Sequence, residues 1–107
     1  MKPAMRLELS GFIEGDLTAI GDYIAADNPR RALSFIREIQ EQFGKIGQHP
    51  LLYQLRPEIG AGARLLAWGN YVILFQIVGE SVRIERVIHG SRNLSALFAR
   101  ESYQGNA

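Results

Sequence analysis

The sequence predicts an α+β fold of two layers, in which a helical hairpin packs on an antiparallel sheet. Three observations support this fold: two amphipathic helical stretches that meet at a sharp Asn-Pro turn, three short apolar strands joined by glycine-containing links, and a length of 107 residues. A chain of that length has room for one core only. The predicted order is β-α-α-β-β-β-α in a single domain, residues 1–107, with its core at about 5–100.

The first two elements follow from the pattern of residues 5–24. Residues 5–9 alternate apolar and charged side chains, which predicts a short half-buried strand. Ser10 and Gly11 end this strand, and Ser10 is a candidate cap for the helix that follows. The apolar side chains of that helix recur at a spacing that places them on one face. They are Ile13, Leu17, Ile20 and Ile24.

The second helix begins at the turn formed by residues 27–29. Asn28 can accept from a free N–H group of the first turn, and Pro29 suits the first helical position because no N–H is needed there. Gly47 and Pro50 end the helix. Its apolar face consists of Ala32, Ile36, Ile39, Phe43 and Ile46. Two amphipathic helices joined by so short a turn must be antiparallel.

Three strands follow a Gly/Pro-containing loop at residues 54–63. They are predicted at 64–68, 71–78 and 82–89. The links Gly69-Asn70 and Gly79-Glu80 have two residues with glycine first, which is typical of type II′ hairpin turns. The middle strand is apolar on both faces, so both faces should be covered. A last short helix is predicted at 94–100 with Asn93 as its cap, and residues 102–107 are expected to fray.

The phase of the last strand is irregular. Arg86 shares its phase with Val82, Ile84 and Ile88, whereas Val87 falls among polar residues. A bulge between Glu85 and Val87 would explain this pattern, and so would a functional arginine that faces a groove. The sequence leaves both explanations open.

The composition excludes several kinds of chemistry. The chain has no cysteine, which excludes disulfides, thiolate catalysis and cysteine-ligated zinc and fits a reducing cytoplasm. His49 and His89 lack metal-ligand spacing, and no phosphate-binding loop is present, so we expect neither metal nor cofactor. The sequence contains no recognisable signal peptide and no apolar run long enough to span a bilayer. We therefore expect a cytoplasmic protein without membrane contact.

The charge is small, but its distribution is uneven. The net charge of +1 gives no reason to expect nucleic-acid binding, whereas residues 51–107 carry +2 and all their cations are arginines. Arginine suits bidentate recognition of phosphate or carboxylate. At the end of the last strand, His89 and Arg92 could project to grip an anion and to move a proton. Alternatively, His89 is packed at the strand end, Arg92 caps or pairs locally, and the other arginines pair with Glu58, Glu80 and Glu85.

Three segments together resemble the RelE/ParE toxins. Residues 22–32 resemble the stretch where the two helices of these toxins meet, residues 69–75 resemble their central strand, and residues 87–92 resemble their strand-end motif. The likeness covers roughly residues 5–95, and its parts occur in the family's order. The resemblance implies the fold predicted above and the toxin half of a toxin–antitoxin module, with a cognate ParD-like antitoxin that wraps the toxin.

The resemblance implies one of two activities. RelE-like members cut messenger RNA in the ribosome with arginine, lysine and tyrosine side chains, and ParE-like members poison DNA gyrase. The nuclease arginine would match Val72, the two lysines would match Ala63 and Leu65, and the tyrosine would match Phe98; only Arg92 of that set is kept. We therefore expect gyrase inhibition by binding rather than catalysis. Ribosome-dependent cleavage by Arg92 and His89 is the alternative, and a non-toxic antitoxin-binding module is a third reading.

The resemblance also suggests contact residues. We expect acidic residues of the antitoxin to lie across the helical hairpin and the exposed sheet edge, where they would meet Arg30, Arg31 and Arg37. For gyrase, the candidates are the C-terminal helix and five cationic or titratable residues. These five are Arg64, Arg83, Arg86, His89 and Arg92. We expect no specific DNA binding by the toxin alone.

Overall fold

The computed structural model describes residues 5–98 and confirms the predicted two-layer α+β architecture. Its strands are β1 (Arg6–Leu9), β2 (Arg64–Trp68), β3 (Tyr71–Val78) and β4 (Ser81–His89). Its helices are α1 (Ile13–Ala25) and α2 (Pro29–Gln48), and a short 3-10 turn covers Pro50–Leu52. Residues 94–98 are helical, and the predicted end of that helix and the predicted frayed tail lie outside the described residues. No helix within 5–98 is long and apolar enough to cross a membrane.

The sheet is mixed, which corrects the prediction of an antiparallel sheet. Its strand order is β1-β4-β3-β2, and β2, β3 and β4 form the predicted antiparallel meander. The strand β1 pairs with β4 in parallel, with Leu7 opposite Val82. An alternating pattern indicates which side of a strand is buried but not the direction of the strand beside it. That direction depends on how the long connection between β1 and β4 returns the chain.

Both hairpin turns have the predicted type. Gly69 and Gly79, the first residues of the two links, have φ angles of +59° and +61°. A type I′ turn would also need a positive φ at the second position, and no non-glycine residue within the described chain has one. The two links are therefore type II′ turns, which suit the twist of the strands that they join.

A β-bulge explains the irregular phase of β4. Leu74 pairs with Arg86 and Phe75 pairs with Ile84, so Glu85 is the extra residue on β4. The bulge shifts the alternation by one residue, and Val87 therefore joins Ile84 on the helix side. The first of the two explanations left open by the sequence is thus confirmed.

Each face of the sheet has its own apolar cluster. On the helix side we define the helix-face core, in which residues from α1, α2, β3 and β4 meet. Its buried members are Ile13, Ile20, Phe35, Ile39, Phe43, Ile46, Ile73, Phe75, Val82, Ile84 and Val87. On the other side we define the outer-face cluster, covered by the loop before β2 and by residues 94–98. Its buried members are Ile59, Ala63, Val72, Leu74, Ile88 and Phe98.

The two helix starts differ. At α2, the Asn28 side chain accepts the Arg31 N–H at 3.1 Å and Pro29 occupies the first turn, as predicted. At α1, the prediction of a Ser10 cap is wrong, because Phe12 is the N-cap residue and no side chain caps the helix. The Ser10 hydroxyl instead donates to the backbone oxygen of Glu85 at 2.6 Å. Ser10 therefore fixes the start of α1 to the bulge of β4.

Candidate interaction surface at the end of the sheet

Arg86 connects β4 to the first turns of α1. Its guanidinium makes two hydrogen bonds of 2.8 Å to the Asp16 carboxylate and lies 4.6 Å from the centre of the Phe12 ring. Asp16 also accepts the Val87 N–H at 3.0 Å. The side chains of the Arg86–Asp16 pair are only 12% and 11% exposed. Arg86, a predicted gyrase contact, is thus engaged in holding the helical hairpin on the sheet.

Arg83 and Arg64, two further predicted gyrase contacts, also have partners inside the molecule. The Arg83 Nε atom lies 2.6 Å from a carboxylate oxygen of Glu85, which is fully buried. The Arg64 guanidinium donates to the backbone oxygen of Tyr53 at 2.6 Å, and the residue is half-buried. The sequence-based alternative of local pairing therefore describes Arg83, which pairs with Glu85. It also describes Arg56, which pairs with Glu58 and whose hydrogen bond holds the pKa of that carboxyl below its ordinary value.

His89 lies exposed at the end of β4 in a defined orientation. Its Nδ1 atom accepts the Ser91 N–H at 3.2 Å and lies 2.8 Å from the Ser91 hydroxyl oxygen. The imidazole ring meets the Tyr71 ring edge to face, with 5.5 Å between ring centres. Because Nδ1 is an acceptor, the hydrogen of the neutral ring belongs on Nε2. His89 therefore presents a donor beside an aromatic ring.

Arg92 contrasts with Arg64, Arg83 and Arg86. It follows His89 in a turn closed by a 3.0 Å hydrogen bond from its own N–H to the His89 backbone oxygen. It is exposed, and within residues 5–98 its guanidinium has neither an ion pair nor a side-chain hydrogen bond. The strand-end pair expected from the sequence, His89 with Arg92, is therefore accessible to a partner.

Two clefts flank this pair. The larger one, which we call the tyrosine cleft, has a volume of about 650 Å³ between the α1–α2 turn and the β2–β3 hairpin. Tyr23, Phe35, Tyr71 and His89 line it. The smaller one, of about 180 Å³, is lined by Tyr71 and His89 from the other side together with Arg92. Burial raises the pKa of Tyr71, and the charge of an ionised Tyr23 raises it further.

The two tyrosines of this cleft were not predicted as site residues. Both belong to segments that carry the family resemblance, but an isolated tyrosine in a helix or strand is normally a packing residue. The informative signal is the exposure of Tyr23, at 76%, together with its position opposite Tyr71. Neither fact can be obtained from residue spacing.

Arg31, a predicted antitoxin contact, belongs to a network at the rim of the same cleft. Its guanidinium donates to both Glu38 carboxylate oxygens, at 2.6 and 3.3 Å, and lies 5.1 Å from the centre of the Phe35 ring. Glu38 also accepts the Trp68 indole N–H at 3.1 Å. The hydrogen bonds from Arg31 and, to a smaller extent, from Trp68 hold the pKa of Glu38 below its ordinary value. The hydrogen bond to Glu38 in turn raises the pKa of Arg31.

The other two predicted antitoxin contacts, Arg30 and Arg37, are exposed on α2. Arg37 lies beside a groove between α1 and α2, which we call the helix groove. It consists of two adjoining depressions of about 600 and 660 Å³ that share Thr18, Ile36 and Gln40. Leu33 at one end is 71% exposed, and Leu9 at the other is 53% exposed. The groove thus combines apolar walls with one lining cation, Arg37, and with the acidic residues Glu14 and Asp22.

The positions that match the nuclease side chains lie in the outer-face cluster. Val72 is 7% exposed, Ala63 is fully buried, and Phe98 is 2% exposed. Leu65 packs against the same cluster. No group of three or more histidine, aspartate or glutamate side chains within residues 5–98 is arranged to hold a metal ion.

Residues 7–94 match the profile of the ParE toxin of type II toxin–antitoxin systems, parDE. No curated protein sequence matches the chain significantly. A solved structure of the chromosomal ParDE system from P. aeruginosa is 27% identical, with a TM-score of 0.69, over 80% of this chain and 96% of that one.

A second solved structure extends the likeness in fold. The toxin–antitoxin complex RelBE2 from Mycobacterium tuberculosis aligns with a TM-score of 0.56 and 23% identity, over 81% of this chain and 99% of the other. The family match covers most of the chain and includes α1, α2 and all the strands except the first residue of β1. The chain therefore belongs to the ParE toxin family of type II toxin–antitoxin systems.

Proposed function

We propose that this protein inhibits DNA gyrase by binding to it and that a cognate antitoxin neutralises it. The observation that carries the proposal is the outer-face cluster, which occupies the positions where ribonuclease side chains would be needed. Cleavage of RNA requires a group that activates the 2′-hydroxyl and cations that stabilise the charged transition state. Val72, Ala63 and Phe98 are buried and apolar, so they offer neither. A toxin of this kind would act as a binding protein.

The accessible cation at the strand end supports a specific gyrase contact. Arg92 is exposed and His89 is oriented by Ser91, whereas Arg86 and Arg83 are held by internal carboxylates. Exposed arginine and aromatic side chains commonly dominate the affinity of protein interfaces. Of the five sequence-based candidates, we therefore propose Arg92 and His89 as the contacts. Arg86, which lines the smaller cleft, would then support this surface from within, whereas Arg64 and Arg83 lie toward the other end of their strands.

The helix groove supports an antitoxin site. Its apolar walls and the exposed Leu33 suit an amphipathic segment, and Arg37, which lines the groove, suits an acidic residue at the edge of that segment. Arg30 does not line the groove but is exposed on the first turn of α2, where a longer segment would meet it. The sequence-based proposal also included Arg31, whose charge is already engaged by Glu38. We therefore expect Arg37→Glu to lower the affinity for the antitoxin more than Arg31→Glu does. It should also reduce the dependence of that affinity on salt concentration more. Equal affinity for both variants and the unchanged protein would contradict this assignment.

A gyrase DNA-cleavage assay tests the main proposal. Purified, antitoxin-free protein would be added to gyrase, ATP and supercoiled plasmid, and linear DNA would be quantified after the enzyme is denatured. We expect linear DNA to accumulate and antitoxin to suppress it. Arg92→Ala and His89→Ala should each reduce the linear product about tenfold or more, as expected for interface residues of this type. Arg6→Ala is the matched control, because Arg6 is an exposed arginine on β1, opposite Ser81 at the far end of β4.

Ribosome-dependent RNA cleavage is the second candidate. One observation favours it: His89, Tyr71 and Arg92 line the same small cleft and include a proton carrier and a cation. Cleavage of messenger RNA on ribosomes, without linear DNA in the gyrase assay, would replace the main proposal with this one. A folded protein that binds antitoxin but slows no growth when the antitoxin is withheld would instead indicate a non-toxic binding module.

A further inference from the structure

We propose that the tyrosine cleft binds a nucleotide, with its base among the aromatic side chains and its phosphate at Arg92. This site is separate from the helix groove. The proposal does not require gyrase inhibition, since the cleft could bind a nucleotide whether or not the protein poisons gyrase.

Aromatic side chains form the walls of the cleft. Tyr23 stands on the last turns of α1 with 76% of its surface exposed, so its ring is accessible to a ligand in the cleft. On the other side, Tyr71 packs edge to face on His89 and is tilted by 57° against Phe35. A planar base could stack on such rings irrespective of its sequence, because every base has a π-face.

Polar groups at the mouth of the cleft could recognise the edge of a base. Asn70 and Ser91 line it beside His89. The Asn70 side-chain amide offers donors and an acceptor, and His89 has a donor on Nε2 because Nδ1 accepts from Ser91. The volume of about 650 Å³ falls within the range of ordinary small-molecule sites.

The charges around the cleft favour an anion on one side only. At the rim, Arg31 is compensated by Glu38, and beyond His89 the Asp16–Arg86 pair is neutral in sum. Arg92 lines the smaller cleft with His89 and Tyr71 and is exposed. An arginine guanidinium binds a phosphate through two parallel hydrogen bonds. A nucleotide whose base lies in the tyrosine cleft would therefore direct its phosphate across His89 toward Arg92.

Fluorescence of Trp68 can report the binding of a nucleotide in the tyrosine cleft. Trp68 is the only tryptophan of the chain, and its indole N–H bonds to Glu38, which in turn holds Arg31 at the rim of the cleft. We would titrate the full chain with AMP, adenosine, inorganic phosphate and a short single-stranded deoxyadenylate, and follow Trp68 fluorescence and the heat of binding. We expect AMP to bind roughly tenfold more tightly than adenosine, because it adds a charge-assisted contact.

Two variants separate the base from the phosphate. Tyr23→Ala should weaken AMP and adenosine alike, by about tenfold, whereas Arg92→Ala should weaken AMP only. The control for Tyr23→Ala is Leu52→Ala, because Leu52 is exposed to a similar extent, at 79%. The control for Arg92→Ala is Arg6→Ala at the far end of the sheet. If the deoxyadenylate binds at least tenfold more tightly than AMP, the ligand is an unpaired nucleotide in a strand. Equal affinities would identify a free nucleotide.

Three results would overturn the proposal. The first is no AMP binding at millimolar concentration by a folded sample that still binds antitoxin. The second is an unchanged affinity in Tyr23→Ala, which would leave only an anion contact at Arg92. The third is an equal loss of affinity in the control variants. None of these results depends on the gyrase assay, so failure here and failure of the proposed function are distinguishable.

Discussion

The two faces of the sheet are both apolar, but they are covered in different ways. On the helix side, α1 and α2 bury Ile73 and Phe75 of β3 under two long elements. On the outer side, within residues 5–98, Val72 and Leu74 of the same strand are covered by a loop and by residues 94–98. The face that a ribonuclease would keep open for its substrate is thus a second, thinner core. We therefore expect the contacts of this toxin with its target at the rim of the sheet instead.

The arginines show the same contrast on a smaller scale. Arg86 and Arg92 are six residues apart and were both candidate gyrase contacts, yet the first is 12% exposed in an ion pair and the second is exposed. The side chain that supports the fold and the side chain offered to a partner differ in burial, not in chemistry. Exposure therefore decides which arginine can contribute to binding.

A charge placed in the outer-face cluster should have the largest effect on stability. Ala63 is fully buried, and Ala63→Lys, which places a lysine where a ribonuclease would carry one, should lower the free energy of unfolding by about 5 kcal/mol because the ammonium would be buried without a partner. Urea denaturation measures this change. Ala61→Lys is the control, since Ala61 is exposed two residues earlier and should change stability by less than about 0.5 kcal/mol. A stable Ala63→Lys protein with ribosome-dependent cleavage would mean that the outer face is an active site.

Removal of the anchor of the helical hairpin should have the next largest effect. Asp16→Ala leaves Arg86 without its carboxylate and the Val87 N–H without an acceptor. We expect a loss of about 3 kcal/mol, the lower end for a buried ion pair because the pair keeps some exposure. Asp22→Ala on the exposed side of α1 is the control and should be nearly neutral. Equal stability of the two variants would show that packing alone holds the hairpin.

The thin cover of the outer face can be tested at Gly60. A Cβ atom there would lie 2.5 Å from Cδ2 of Phe98, so Gly60→Ala should displace the ring and cost about 2 kcal/mol. Gly15→Ala is the matched control: apart from the chain neighbours and backbone of α1 itself, no atom lies within 4 Å of a Cβ added at Gly15, and this change should stabilise by up to about 1 kcal/mol. Thermal or urea unfolding should give opposite signs. A loss of stability in both variants would contradict this account of the cover.

The smallest expected effect on stability concerns the network of Arg31, Glu38 and Trp68 at the rim of the tyrosine cleft. The pKa of Glu38 is held below its ordinary 4.5, mainly by Arg31 and then by Trp68. The network should therefore stabilise the fold fully above pH 4.5 and lose that contribution as pH falls through the lowered pKa. Trp68 emission, followed from pH 6 downward at about 0.1 M salt, should change in that lower range. Glu38→Gln should abolish the transition, and Glu41→Gln, exposed on the same helix, should keep it.

Short-range patterns were sufficient for most of the fold. Helical spacing located α1 and α2, the Asn28–Pro29 pair located the start of α2, and glycine-first links specified both type II′ turns. These features depend on contacts between residues close in the chain, where steric limits and hydrogen bonding are local. The break in the phase of β4 also revealed an irregularity, although the pattern alone could not distinguish a bulge from a functional arginine.

The candidate site was less predictable. The strand-end segment drew attention to His89 and Arg92, because glycine, histidine and arginine are concentrated there. Tyr23 and Tyr71 were missed, since only the packing of the α1–α2 turn against the end of the sheet brings them to the same cleft. Arg86 was proposed as a contact because nothing in its surroundings along the chain reveals Asp16, 70 residues away.

Composition and periodicity were thus enough to predict the α+β fold, its two long helices and its hairpin strands. The parallel pairing of β1 with β4, the burial of Glu85 and the choice between a buried and an exposed arginine came from tertiary contacts. The physical reason is that burial and ion pairing depend on distance in space, whereas a sequence pattern records only distance along the chain. Where the two coincide, as in a hairpin, the pattern predicts the structure; where the chain returns after 70 residues, packing decides.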